Sequence, residues 1–372
     1  MAVLDAERQE KAKAYARAML CVSLGELCLG AAALLLLLFT SLSAGLRDLL
    51  YFPQPVKVIL YFAVVAVSLS IVSAPLTFYG GYVLPRRFGL LNQSLGNWLF
   101  DVAKRGLLGV LLGSGVVVLV YVLLASVPDL WWLLAAACVV LLGVLLANLT
   151  PVILLPLFYK LEPLADDGLR DRLESLAHKA RTKVRGIFTI NLSSKGTTGN
   201  AALVGLGNTR RIVIGDTLLD RYSPEEIEVV VAHELGHHVH RDILRLIVIQ
   251  SVTVFLGFYL AHVALNAGVA VFGFNGIEDV AAFPLLAGVL GGFALLVEPL
   301  SNAYSRRIEA AADDYALNLT GNPEGFVAMM TKLANQNLSE AWPKRWVEVL
   351  LYDHPPYFRR VARAESYREG EK

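Results

Sequence analysis

His233-Glu234-Leu235-Gly236-His237 is the segment of this chain best equipped for chemistry. On a helix, side chains four residues apart share a face, so both imidazoles can reach one zinc ion. Glu234 lies beside that face and can take a proton from a water activated by the ion. The five-residue pattern also occurs in solvated helices, so the rest of a metal site has to come from elsewhere. A catalytic zinc needs a third protein ligand and one open position. A two-histidine, one-glutamate set calls for a Glu on a second helix, and the stretch 302–313 offers Glu309. Asp313, one turn further on the same face, can accept the second N–H of a ligating histidine and fix its tautomer. The small residues Ala310, Ala311 and Ala312 between the two acids favour close packing against a partner helix. The expectation is one Zn2+ per chain on His233, His237 and Glu309, with Glu234 as the base.

The chain has seven histidines. His238 and His240 are five and seven residues from His233, a spacing that does not complete the motif. His262 falls in an apolar run and reads as a buried, hydrogen-bonded residue. His178 reads as solvated on a polar helix. His354, in Asp353-His354-Pro355-Pro356, fits two roles equally on its residues alone. One is donor to a tetrahedral intermediate; the other is a helix-start residue ahead of Pro-Pro.

The elements that must carry these groups are set by apolar runs. Of 372 residues, 56% are hydrophobic and 17% charged, against roughly 25% charged in soluble domains. Uncharged stretches cover 27–46, 58–85, 106–128, 130–159, 246–277 and 280–297. A helix needs about 20 apolar residues to cross the hydrocarbon core, so six spans are expected. The three cysteines lie in or beside these runs, which argues against a disulfide framework or a cysteine metal site. The charged N-terminal stretch leads straight into a long span and reads as an anchor, not a cleavable signal. A net charge of +1 gives no case for a nucleic-acid partner.

Thirteen Lys and Arg lie between Lys160 and Arg245, and ten follow the last span. Three of the loops hold only Arg47 and Lys57 between them. The positive-inside rule then places both termini, the second loop and the long fourth loop in the cytoplasm. For a bacterial source this means the inner membrane. His237 is nine residues before the fifth span, and Glu309 is nine after Leu300 near the end of the sixth. Helices running on from both spans would carry the ligands to the same height, roughly 14 Å beyond the apolar boundary.

Four regions follow: a four-span membrane region (1–158), a cytoplasmic insert (159–245), two more spans (246–301) and a helical tail carrying Glu309 (302–372). The insert reads as α+β, with a helix over 164–183 and short strands at 187–192, 201–206 and 211–214. Ser223-Pro224-Glu225-Glu226 is a helix start that leads into the HExxH segment.

These residues together resemble the type I CAAX prenyl endopeptidases, a family of integral-membrane zinc peptidases. The resemblance runs from about Tyr79 onward. It includes 87–95, 156–164, Ser193-Ser194, Asn200-Ala201, Arg211-Ile212-Val213 and 216–219. Ser305-Arg306, Glu309, Ala312-Asp313 and His354-Pro355-Pro356 with Arg360 complete it. It implies a polytopic α-helical membrane protein with an α+β, gluzincin-like peptidase insert and a water-filled chamber between the spans. It implies that Asn200 and Ala201 lie on an edge strand pairing with an extended peptide. His354 and Arg360 would stabilise the oxyanion or grip the substrate. The eukaryotic members have seven spans, and the N-terminal one has no counterpart here.

The reading is a metalloendopeptidase hydrolysing peptide bonds of membrane-proximal substrates, lipidated CAAX termini being what the resemblance suggests. A bacterial relative could instead clear unprenylated membrane proteins. The rivals are an intramembrane site-2-type protease, a catalytically inactive membrane scaffold and, more weakly, a zinc transporter. Charged residues flanking the motif, Glu225, Glu226, Arg241 and Arg245 among them, favour the aqueous side over the bilayer interior. An intact Glu234 and ligand set favour catalysis over a scaffold.

Overall fold

A computed structural model describes residues 3–205 and 207–370. Six of its helices are long and apolar enough to cross a membrane: α1 (Ala6–Phe39), α2 (Gln54–Arg87), α3 (Leu95–Ser126), α4 (Trp131–Phe158), α7 (Asp242–Phe272) and α8 (Val280–Thr320). Two of them pass through π-helical turns, Tyr79–Val83 and Thr150–Leu154. In the second, Pro151 cannot donate its backbone bond, and the wider turn absorbs the missing link. Outward side chains such as Leu107, Leu141 and Leu296 are more than two-thirds exposed. That suits lipid and would be costly in water.

Between α4 and α7 the chain builds a four-stranded sheet in the order β1-β2-β4-β3. Its strands are β1 (Leu161–Pro163), β2 (Ile187–Ile190), β3 (Ala201–Val204) and β4 (Arg211–Gly215). β2 and β4 are parallel, and β1 and β3 flank them antiparallel. The strands expected at 187–192, 201–206 and 211–214 are present within two residues at each end that is described; Leu206 lies outside the described residues. β1 was not expected, because three residues around a proline carry no alternation. The helix expected over 164–183 is α5 (Asp167–Lys179). It buries Leu169, Leu173 and Leu176 against the sheet and the HExxH helix.

α6 (Pro224–Val239) carries the motif. Ser223 accepts from the Glu226 N–H while the Glu226 carboxylate accepts from the Ser223 N–H, closing a capping box around Pro224. This satisfies two otherwise orphaned donors. The geometry expected at the other end of the helix is corrected. α6 does not run on into the fifth span: Arg241 takes a left-handed backbone (φ 58°), and α7 begins at Asp242. The sixth span does run on, since its helix is unbroken over Phe283–Thr320.

The tail continues as α9 (Pro323–Gln336), α10 (Arg345–Leu351) and α11 (Tyr357–Gly370). The first helix takes part on the same side. Gln9 is buried and pairs twice with main chain, donating to Ser339 O and accepting from Ala341 N.

Candidate active site

α6 and α8 pack closely, and small residues allow it. A Cβ on Gly236 would sit 3.2 Å from the Ala312 Cα and 3.2 Å from the Tyr315 ring. Ala312 is fully buried. This approach sets Glu309 opposite the two motif histidines. His233 Nε2 is 3.2 Å from Glu309 Oε2, and His237 Nε2 is 3.3 Å from Glu309 Oε1. The two Nε2 atoms are 3.2 Å apart. A tetrahedron with metal–ligand bonds of 2.0–2.1 Å has edges of about 3.3–3.4 Å. The two Nε2 atoms are spaced as a tetrahedral edge, and each stands at a similar distance from one of the two Glu309 oxygens, so the three side chains converge on one point. Glu309 Oε2 is buried and accepts no hydrogen bond. Two facing ring nitrogens and an orphaned carboxylate oxygen form a donor set that fits a zinc-sized cation.

Each histidine has a carboxylate on its other nitrogen. His233 Nδ1 lies 2.9 Å from Asp313 Oδ1, and His237 Nδ1 lies 3.2 Å from Asp242 Oδ2. Burial opposes a charge on His233, but the adjacent carboxylates of Asp313 and Glu309 outweigh it and raise its pKa to about 9. Asp313 was expected from the sequence; Asp242 was not. It is five residues past His237, off the helical face, and reaches back because the left-handed Arg241 turns the chain. Nothing local in the sequence announces that turn.

Arg360 grips both oxygens of Asp313, with contacts of 2.8 and 2.5 Å, and its guanidinium lies 3.4 Å from His233 Nδ1. The structure therefore places Arg360 behind a histidine, clamped to Asp313. His354 Nε2 stands 3.3 Å from Glu309 Oε1, and its Nδ1 is 2.9 Å from Asp353. The Asp353 carboxylate raises the His354 pKa against the pull of burial, and Glu309 adds to the rise. Glu234 is half-buried beside the cluster, its Oε2 accepting from the Leu203 N–H at 3.3 Å.

That bond ties the motif helix to the open edge of the sheet. Gly215 N donates to Asn200 O. In an antiparallel ladder, alternate residues turn their polar groups to the partner strand. Residues 200, 202 and 204 therefore face β4, while Ala201 and Leu203 turn theirs outward. The approach to this edge is fixed from α9: Asn337 brackets Gly199, accepting from its N–H and donating to its O, and Gln336 donates to Thr197 O. Neither residue was singled out from the sequence. Asn200, Ala201, His233, Glu234, His354 and Arg360 line one cavity of about 570 Å3, with Tyr15 of α1 as a further wall.

Comparison with known proteins agrees with this architecture. Residues 163–368, more than half of the chain, match the model of peptidase family M48. Residues 1–160 match the CAAX prenyl protease N-terminal model, described as five membrane helices; four candidate spans lie in that stretch here. The chain is 29% identical over 307 residues to the uncharacterized metalloprotease YhfN of Bacillus subtilis, covering 82% of this chain and 72% of that one. It is 29% identical over 323 residues to CAAX prenyl protease 1 of Saccharomyces cerevisiae, covering 82% and 71%. The crystal structure of S. mikatae Ste24p shares the fold, with a TM-score of 0.88 at 24% identity over 97% of this chain and 90% of that one. The chain belongs to peptidase family M48, and it is a multi-pass membrane metalloprotease.

Proposed function

We propose that this protein is a zinc endopeptidase that cuts peptide bonds near the cytoplasmic surface of its membrane, with CAAX-type termini as the substrate class. The observation that carries the reading is the convergence of His233, His237 and Glu309, each Nε2 within 3.3 Å of the other nitrogen and of a Glu309 oxygen, with a carboxylate behind each imidazole. His233, His237 and Glu309 would hold the ion, one per chain. When bound, the zinc supplies Lewis acidity to the scissile carbonyl and the attacking water.

The chain's own groups do the rest. Asp313 and Asp242 keep the protons of the two imidazoles on Nδ1, so that both Nε2 lone pairs point inward. Glu234 takes the proton of the attacking water and delivers it to the leaving amine. His354, charged through Asp353, donates to the carbonyl oxygen as negative charge develops there. Arg360 positions Asp313. The outward edge of β3 at Ala201 and Leu203 holds the peptide extended by backbone pairing, with Asn200 at the start of that edge. Backbone pairing accepts varied side chains, so the walls of the cavity select among substrates.

Lipidated CAAX termini are favoured because the catalytic region matches relatives named for that activity. The distribution of Lys and Arg supports a cytoplasmic site and cytoplasmic termini, and in a bacterial cell the inner membrane.

Replacement of Glu234 tests the base. Glu234→Gln should keep one zinc per chain and the wild-type melting temperature while losing hydrolysis of a quenched farnesyl-CAAX peptide. Near-normal turnover would show that another group activates the water. Hydrolysis by wild type of the unprenylated peptide alone would remove prenylation from the substrate class.

A further inference from the structure

On α8 the side chains Leu296, Leu300, Ala303 and Arg307 are spaced by four, three and four residues and so form one stripe. Leu296 and Leu300 are 78% and 71% exposed, which marks the stripe as lipid-facing. Ala303 and Arg307 follow roughly 5 and 10 Å further along the axis, the depth of the headgroups. α10 lies at the same level. Asn302 donates to Leu350 O at 2.9 Å, and α10 exposes Trp346, Val349 and Leu350. A partly exposed Trp beside apolar side chains is the usual composition of the membrane interface.

At that depth Ala303, Arg306 and Arg307 face Arg359, Arg360 and Arg363 of α11 across a cavity of about 360 Å3. Three of the five guanidinium groups are paired: Arg359 with Glu348, Arg360 with Asp313 and Arg363 with Asp314. Arg306 is held by main-chain carbonyls of Glu348, Val349 and Tyr352. Among the described residues neither Arg306 nor Arg307 has a carboxylate partner. Two uncompensated charges therefore share one concavity, and one of them is fixed in place by three carbonyls.

We propose that this cavity binds the phosphate of an anionic phospholipid headgroup, whose acyl chains lie along the Leu296–Leu300 stripe. Arg306 and Arg307 supply the charge and the donors, and Ala303 leaves the opening through which a phosphate enters. Basic pockets beside membrane helices on the cytoplasmic side take such headgroups. Arg360 and Pro355 line both this cavity and the peptide cavity, whereas Ala303, Arg306 and Arg307 line this one alone, and the proposal does not depend on the catalytic reading.

The test uses the full chain in nanodiscs of phosphatidylcholine with one part in five of phosphatidylglycerol, extracted gently for native mass spectrometry. Wild type should retain phosphatidylglycerol in preference to phosphatidylcholine. Arg307→Gln should lower that retention about five-fold, the effect of one surface charge. Arg307→Lys should preserve most of it, and Ala303→Glu, which sets an acid at the opening, should abolish it. Melting temperatures in pure phosphatidylcholine report whether each variant is folded. Equal retention of the two lipids by wild type, or an unchanged preference in folded Arg307→Gln and Ala303→Glu, overturns the proposal. Inorganic phosphate added to phosphatidylcholine discs separates the sources. A rise in melting temperature lost in Arg307→Gln identifies a soluble phosphate as ligand, and no rise identifies the lipid.

Discussion

Asp242 offers the sharpest test of how the metal site is supported. Its side chain is almost fully buried, and its nearest contact in the site is the Nδ1 of His237 at 3.2 Å. Arg245 touches its other oxygen more loosely, at 3.4 Å, from an exposed position. If His237 binds zinc through Nε2, the proton must sit on Nδ1 and needs an acceptor. Asp242→Asn keeps an oxygen there but removes the negative charge; Asp242→Ala leaves the N–H unpaired in a buried place. Loss of such outer partners costs about 10–100-fold in metal affinity. The Asn variant should lie near the lower end of that range and the Ala variant near the upper. In free energy this is about 1.4–2.8 kcal/mol. Asp313 provides the contrast. It serves His233 in the same way but, itself fully buried, also neutralises the part-buried Arg360. Asp313→Asn should therefore lower the melting temperature as well, since breaking a buried ion pair costs about 3–5 kcal/mol. The assay is competition for zinc against a fluorescent chelator, with melting curves of the metal-free proteins alongside. Wild-type affinity in Asp242→Ala would refute the argument that this carboxylate sets the His237 tautomer. An equal loss of stability in the Asp242 and Asp313 variants would refute the separation of their roles.

The remaining expectations concern the donor, the edge and the orientation. His354 must be protonated to donate, so the alkaline limb of kcat/KM should follow its raised pKa; Asp353→Asn removes the main cause of the rise and should move that limb to lower pH. A limb unmoved in Asp353→Asn would exclude His354 as the titrating group. Leu203→Pro deletes the outward N–H of β3, which donates to Glu234 Oε2 here and would pair with an extended peptide once that bond is exchanged, and should lower kcat/KM roughly 3–10-fold with zinc retained. Ala202→Pro removes a ladder bond to β4 instead and should destabilise the insert; the opposite pattern would mean that the register is misread. For topology, a reporter active only outside the cytoplasm should signal when placed between Gly273 and Asp279 and stay silent after Gly370. The reverse pattern would overturn the cytoplasmic site.

The sequence by itself determined the spans, the HExxH helix with its capped start, the strand segments and the placing of Glu309 and Asp313 on one helix face. Each of these is written in local periodicity: 20-residue apolar runs, i,i+4 spacing, a Ser-Pro-Glu-Glu start. The small residues Ala310 to Ala312 even announced close packing against a partner helix, and the structure meets it with Gly236. Only the tertiary structure decided the rest. A single left-handed residue, Arg241, separates the motif helix from its span and delivers Asp242 to His237. That conformation carries no periodic signal, since nearly any residue can be forced into it by its surroundings. The edge position of β3 depends on β2 taking the other side of β4, and the bracket that Asn337 places around Gly199 and the turn of Arg360 toward Asp313 join residues more than 40 apart in the chain. Hydrogen bonds over such separations are set by how the packed elements meet, and no window of sequence contains both partners.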